Sequence, residues 1–409
     1  MSEPVEPIIY YVDRGAPEPI RSALIEGASW WNQAFEAAGY TNAFQVKVMP
    51  EGAHPLDVRY NVIQGVHRST RGWSYGSGIT DPRTGEMIKG HVSLGSLRVR
   101  QDFLIATGLL QPYENGDEQP NAMTEMALAR LRQLSAHEVG HTLGLAHNFA
   151  ASVNDRASVM DYPHPYIKLD AQGNIDLSEA YDDKIGAWDK VTISYGYTDF
   201  PEGENQEKLD AMLDRAFDGG LRYITDQDAR PASGLHSEAH LWDNGTNAAM
   251  ELDRLMKIRR TVLDQFSEKA IKEGMPMSSI EEALVPMYLL HRYQVDATSK
   301  LIGGLNYSYA LRGGNEVVTE MLSTEAQMTA LQALLNTVTA EQLKLPESLL
   351  GQLPPRAFGY SRSRETFVSK TGPAFDYLAA VETAASVPFS FIFNADRFNR
   401  LLMYKARSA

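Results

Sequence analysis

Residues 135–148 read Ser135–Ala136–His137–Glu138–Val139–Gly140–His141–Thr142–Leu143–Gly144–Leu145–Ala146–His147–Asn148. The stretch holds His-Glu-x-x-His, extended to His-Glu-x-x-His-x-x-Gly-x-x-His. On a helix, His137 and His141 stand one turn apart, about 6 Å along the axis, on one face. Two imidazoles so placed can converge on one ion at about 2.0–2.1 Å each. Glu138 points into the neighbouring sector, where it can reach a water on the ion without becoming a ligand. A third ligand on a straight continuation would point away from the ion. The chain must first turn sharply, and Gly144 accepts the left-handed conformation that such a turn needs. His147 then returns to complete the set. Three neutral imidazoles leave a fourth position for water, the open arrangement of a catalytic zinc.

The helix carrying this motif is expected from about Ala122 to Gly144, opened by Pro120–Asn121 and buried along Leu128, Leu131 and Leu134. Ahead of it, Ile8–Val12 reads as a strand closed by Asp13–Arg14–Gly15. One helix is expected from Pro17/Pro19 to Gly39, with Ile20, Ala23, Leu24, Ala28, Trp31, Phe35 and Ala38 as its apolar stripe. Phe44–Met49 and Val58–Gln64 read as strands. Two more are expected near Gly78–Thr80 and His91–Leu94, joined by the turn Asp81–Gly85. This order of elements is α/β, a mixed sheet packed on helices. Between Asp199 and Asn205 the chain turns rich in Pro, Gly and Glu, which marks a boundary and divides it into residues 1–200 and 201–409. The second part reads as mainly helical, with runs near Asn247–Ile271, Ser279–Leu301, Thr324–Leu335 and Ala374–Ala385.

The 409 residues carry 38 Lys+Arg against 52 Asp+Glu, a formal charge of −14. A surface for nucleic acid or an anionic membrane needs a basic excess, so neither is expected as the main partner. There is no cysteine, which excludes disulfides, catalytic thiols and zinc–thiolate sites. No run of about 18 apolar residues is present, so no membrane span is expected. Met1–Pro7 carry neither a basic segment nor an apolar one, so no signal peptide is expected in this chain. The first strand begins so abruptly that the chain reads as a portion cut from a longer one. His236, His240 and His291 are scattered and read as structural or surface residues. Asp243–Asn244–Gly245 reads as a turn rather than a calcium site.

Just downstream of the motif lies Ala157–Ser158–Val159–Met160–Asp161–Tyr162–Pro163. With it, the sequence resembles the metzincin clan of zinc metallopeptidases, whose members share the extended histidine motif and a Met-containing turn beneath the metal. Met160 matches that methionine, a hydrophobic floor rather than a ligand. Tyr162 matches a tyrosine of astacins and serralysins that can ligate zinc at rest and then stabilise the transition state. His164 is expected on the surface or behind the ligands. The resemblance implies one catalytic Zn2+ held by His137, His141 and His147, with Glu138 as general base in peptide hydrolysis. It also implies an antiparallel edge strand, by order Ser74–Thr80, to which extended substrate adds, and a closing helix near Lys184–Tyr195. More narrowly, the zinc motif and Pro354–Tyr360 look like a bacterial family of metallopeptidases with an EcxA-type zinc-binding domain. Its members are usually longer at the N-terminus and exported, which implies export of the parent chain and docking of this portion to a missing N-terminal region. Three other readings stay open: Glu179 as third ligand in a different zinc peptidase class, a metal-stabilised binding or scaffold domain without turnover, and hydrolysis of a non-peptide amide.

Overall fold

The computed structural model describes residues 1–68, 72–114, 120–201 and 203–408. Among them, a five-stranded sheet forms from β1 (Ile8–Val12), β2 (Phe44–Val48), β3 (Asn61–Val66), β4 (Tyr75–Thr80) and β5 (Met87–Gly95). The spatial order is β2-β1-β3-β5-β4. The first four of these positions pair in parallel, and β4 alone runs antiparallel, at the edge next to β5. The register sets Tyr10 beside Asn61, Val62 beside His91, and Gly78 beside Gly90. The architecture is the expected α/β, a mixed sheet packed on helices and followed by a largely helical region.

The helix expected over residues 17–39 is two: α1 (Ile20–Ser29) and α2 (Trp31–Ala37). Trp30 tightens the junction by donating its N–H back to Gly27. Both Trp30 and Trp31 thereby enter the core. A further helix, α3 (Leu97–Leu110), fills a stretch that the sequence reading left unassigned. Its β-branched residues and Gly108 obscure a helical pattern. Yet Gly108 has a packing role, since a Cβ there would fall 2.9 Å from the Ala283 carbonyl oxygen.

The motif lies on α4 (Asn121–Thr142), which packs between the sheet and α1. The approach of α1 to α4 is close: a Cβ on Gly27 would sit 2.0 Å from the Arg132 carbonyl oxygen. The Trp31 indole N–H donates to the Ala136 carbonyl at 2.8 Å, and the Ser135 hydroxyl donates to that of Leu24 at 2.8 Å. Tyr10 on β1 shares a 2.6 Å hydrogen bond with Thr142 at the far end of α4. The helix that carries the histidines is therefore pinned at several levels to a rigid layer.

After α4 come the short hairpin β6 (Lys168–Leu169) and β7 (Ile175–Asp176), then α5 (Ala187–Tyr197). Helix α6 (Asn205–Asp218) begins where only a boundary was expected; Glu202 of that boundary lies outside the described residues. Beyond it follow α7 (Asp226–Ala229), α8 (Ala248–Asp264), α9 (Ile280–Tyr288), α10 (Arg292–Ser299), the two-residue strands β8 (Leu305–Asn306) and β9 (Glu320–Met321), α11 (Thr324–Asn336), α12 (Ala340–Leu343), α13 (Glu347–Leu350), α14 (Tyr377–Ile392) and α15 (Ala395–Ser408). The single run expected over residues 279–301 is thus split between α9 and α10. Among the described residues no single helix is long and apolar enough to cross a membrane.

Two of the hydrophobic cores frame the histidine helix. One, under the sheet, joins Tyr10, Val12, Ile63 and Val92 to Leu24, Trp31, Val139 and Met160. The other draws on both sides of residue 200, with Leu109, Met123, Met126 and Tyr181 packed among Leu255, Ile258, Leu284, Met287 and Ala380.

Candidate metal centre

Helix α4 ends at Thr142, and Gly144 takes φ +92°, the left-handed value its place in the motif demands. The Leu145 N–H reaches back to the Gly140 carbonyl at 3.1 Å, which closes the helix and redirects the chain. His147 consequently returns alongside His137 and His141. The ligand nitrogens of the three residues lie within 4.8 Å of one another.

The ring nitrogens divide their work. His137 Nδ1 lies 2.7 Å from the Val159 carbonyl oxygen, His141 Nδ1 2.9 Å from that of Leu145, and His147 Nδ1 2.8 Å from Asp226 Oδ2. Each Nδ1 faces an acceptor and so carries the proton, which leaves each Nε2 with a lone pair. Those three Nε2 atoms face inward. His141 Nε2 is 3.2 Å from that of His137 and 3.1 Å from that of His147. Lone pairs so close repel unless a cation lies between them. Ligands about 2.0–2.1 Å from a tetrahedral ion are separated by roughly 3.3 Å, so the donor set fits zinc. Burial lowers the pKa of all three histidines, which keeps them in the neutral form a metal needs.

Glu138 is 5% exposed. Burial pushes its carboxyl up to about 7, opposed by the nearby Arg130 guanidinium and by a hydrogen bond from the Gly76 backbone N–H. Gly76 belongs to the edge strand β4, which crosses so close to α4 that a Cβ there would meet the Glu138 carbonyl oxygen at 1.9 Å. Glycine at this position is thus a steric requirement of the cleft. A cavity of about 1030 Å³ between β1, the end of α4 and α5 takes in Leu145 and Met160 but none of the three histidines, so it lies beside the centre.

Met160 is buried beneath α4, where a Cβ on Gly140 would sit 2.3 Å from its sulfur. The turn around it is held by Asp189 at the start of α5, which accepts from the Ser158 hydroxyl at 2.6 Å, the Val159 N–H at 2.9 Å and the Gly186 N–H at 2.8 Å. Sequence reading did not find Asp189, and an acidic residue in the first turn of a helix carries no signal of such a task.

Tyr162 packs its ring against His147 and His137, with centroids 4.8 and 5.2 Å away. Its hydroxyl accepts from Arg230 Nη2 at 3.3 Å, and the Arg230 guanidinium lies over the rings of Tyr162 and Phe149. Arg230 also pairs with Asp226, the acceptor for His147. Two residues of one short segment, Asp226 and Arg230, therefore reach His147 and Tyr162 respectively from beyond residue 200. Sequence reading missed both, because a carboxylate and a guanidinium four residues apart look like an ordinary helix-surface pair.

Other expectations resolve differently. Glu179 is exposed and ion-paired to Lys168 at 2.7 Å, away from the histidine cluster, so it is not the third member of this set. His164 is buried rather than on the surface, with Nδ1 3.2 Å from the Pro165 carbonyl oxygen. His236, His240 and His291 are buried in the second part of the chain, which accords with the structural half of their expected reading.

Comparison with known proteins agrees with this geometry. Residues 119–409 match a family described as Met-zincin. No curated protein and no solved structure matches. The matched residues make up more than two thirds of the sequence and include the histidine cluster, Glu138, Met160 and Tyr162. The chain belongs to the Met-zincin family.

Proposed function

We propose that the protein is a zinc-dependent endopeptidase. One observation carries this reading: three imidazoles, each with Nδ1 engaged, direct bare Nε2 atoms at a common point beside a buried carboxylate. A structural zinc fills its fourth position and needs no neighbouring base. Zinc bound by His137, His141 and His147 would supply acidity to a water and polarise the scissile carbonyl.

The chain's own residues do the rest. Glu138 accepts the proton of the attacking water and then delivers it to the leaving amine. Its raised pKa suits both halves of that transfer. Tyr162 offers its hydroxyl toward the oxyanion, with Arg230 fixing the phenol. Asp226 holds the His147 ring in the tautomer and direction that ligation requires. Met160 is the apolar floor that fixes the height of α4. An extended peptide pairs along β4, whose outer edge has no partner strand in the described sheet. Residues 1–200 and 201–409 differ in architecture, and in this reading the second part completes the site of the first.

The test is cleavage of a diverse peptide library by the zinc-loaded protein beside zinc-loaded Glu138→Ala, read by mass spectrometry. The wild type should cut. The variant should keep its zinc and lose turnover by roughly 10²–10⁴-fold. Equal cleavage by both would refute the mechanism.

A further inference from the structure

Behind the Met160 turn, on the side away from the histidines, lies a cavity of about 290 Å³ lined by Asp161, Asp243, Gln133, Asn154 and Ser152. Two of these carboxylates are buried, Asp161 and Asp243 each at 6% exposure. Ser152 draws them together: its hydroxyl donates to Asp243 Oδ2 at 3.3 Å, and its backbone N–H donates to Asp161. Burial, then the neighbouring Asp243, push the Asp161 carboxyl well above its ordinary range, and burial raises Asp243 too.

Neither Arg156 nor Lys300 satisfies the pair. Arg156 lines the same cavity but hydrogen-bonds Asp182 at 2.8 Å, the Glu179 carbonyl and the Asn244 amide oxygen. Lys300, whose field lowers Asp243, gives its hydrogen bonds to the Ala229 and Ala239 carbonyls. Three oxygens of residues that line it, Asp243 Oδ1, Gln133 Oε1 and Asn154 Oδ1, have no hydrogen-bond donor among the described residues. Gln133 is the independent witness, since it is 95% buried by its 5% exposure, uncharged, and comes from α4. Its amide is oriented by Nε2 donating to the Val159 carbonyl at 3.0 Å, which leaves the oxygen as the unpaired end. Orphaned buried acceptors of this kind call for a partner.

We propose that this cavity is a calcium site. The donor set is oxygen only, with two carboxylates, two amide oxygens and a hydroxyl, which suits a hard cation and excludes the imidazole chemistry of the zinc centre. The volume leaves room for the waters that complete six to eight ligands at about 2.3–2.6 Å. The ion would brace the turn whose Val159 carbonyl orients His137, so it belongs to the scaffold of the metal centre and not to its chemistry. The site goes beyond the peptidase reading and stands or falls without it.

The experiment is equilibrium dialysis of the metal-free full chain against 45Ca2+ at up to 1 mM free calcium, with thermal unfolding in calcium and in magnesium. One calcium per chain is expected, with a rise in Tm in calcium, and His137→Ala should bind it unchanged. Asp243→Asn should weaken calcium binding at least tenfold. Asn154→Ala, at a half-buried position that does not threaten folding, should weaken it several-fold. Absence of bound calcium in the wild type, or wild-type binding by both Asp243→Asn and Asn154→Ala, overturns the proposal. Loss of peptidase activity in Glu138→Ala with calcium binding intact, or the reverse, separates the two sites.

Discussion

His147 Nδ1 and Asp226 Oδ2 lie 2.8 Å apart, although 79 residues separate them in the chain. The other two histidines take their Nδ1 acceptors from backbone carbonyls close in sequence to the motif. His147 alone of the three takes its Nδ1 acceptor from a side chain, and that side chain is itself paired to Arg230.

Asp226→Ala should therefore weaken zinc binding by about 10–100-fold, the usual effect of removing a carboxylate behind a ligating histidine. Asp226→Asn, which can still accept from Nδ1, should fall between. Competition with a chromophoric chelator reads this directly. Wild-type affinity in Asp226→Ala would show that His147 needs no such support.

Tyr162→Phe should leave zinc content unchanged and lower kcat by about 10–100-fold with little change in KM, as expected for a group that acts on the developing charge. The phenyl ring keeps its packing against His137 and His147. Steady-state kinetics on one peptide suffices, and an unchanged kcat would make Tyr162 a packing residue.

Gly76→Ala should lower stability by about 1–3 kcal/mol, because its Cβ meets a backbone carbonyl that cannot swing aside. β4 would have to lift from α4, which also removes the Gly76 hydrogen bond to Glu138. Thermal unfolding and peptide kinetics together should show a lower Tm and a higher KM. A Tm equal to wild type would mean that the edge strand has slack.

Acid should destabilise the metal-free chain through His164. Burial holds its folded pKa at about 3, against an ordinary value of 6.5. Its folded pKa is depressed, so its contribution is complete above about pH 6.5 and is lost as pH falls toward 3. The slope approaches about 1.4 kcal/mol per pH unit for one such group. Chemical denaturation between pH 7 and 4 should show the loss, and His164→Gln should flatten it. Equal slopes would place the acid sensitivity elsewhere among the buried histidines.

The histidine cluster was legible because all of its members sit within eleven residues of one helix and the turn that ends it. Periodicity places His137 and His141 on one face, and the need for a left-handed residue accounts for Gly144 and its positive φ. The strands of the mixed sheet were legible through β-rich runs closed by Gly and Pro. What escaped lies in contacts between separate elements. Asp189, Asp226 and Arg230 have ordinary local surroundings and acquire their tasks only when α5 and α7 dock. Helix α3 escaped because Gly108 and its β-branched residues serve packing against α9 at the expense of pattern. The turn expected at Asp243–Asn244–Gly245 does hold a positive φ at Gly245, yet its aspartate is buried among orphaned oxygens.

Asp226 and Arg230 also bear on how such enzymes are recognised and cut for study. A recombinant fragment ending near residue 200 would retain all motif residues from His137 to Tyr162. It would lack the carboxylate beside His147, the guanidinium over Tyr162, and most of the core that packs against α3 and α4. Silence from such a fragment would say nothing about the activity of the whole chain. The two stretches are thus one functional unit: a break within residues 200–230 would part His147 from the carboxylate that orients it.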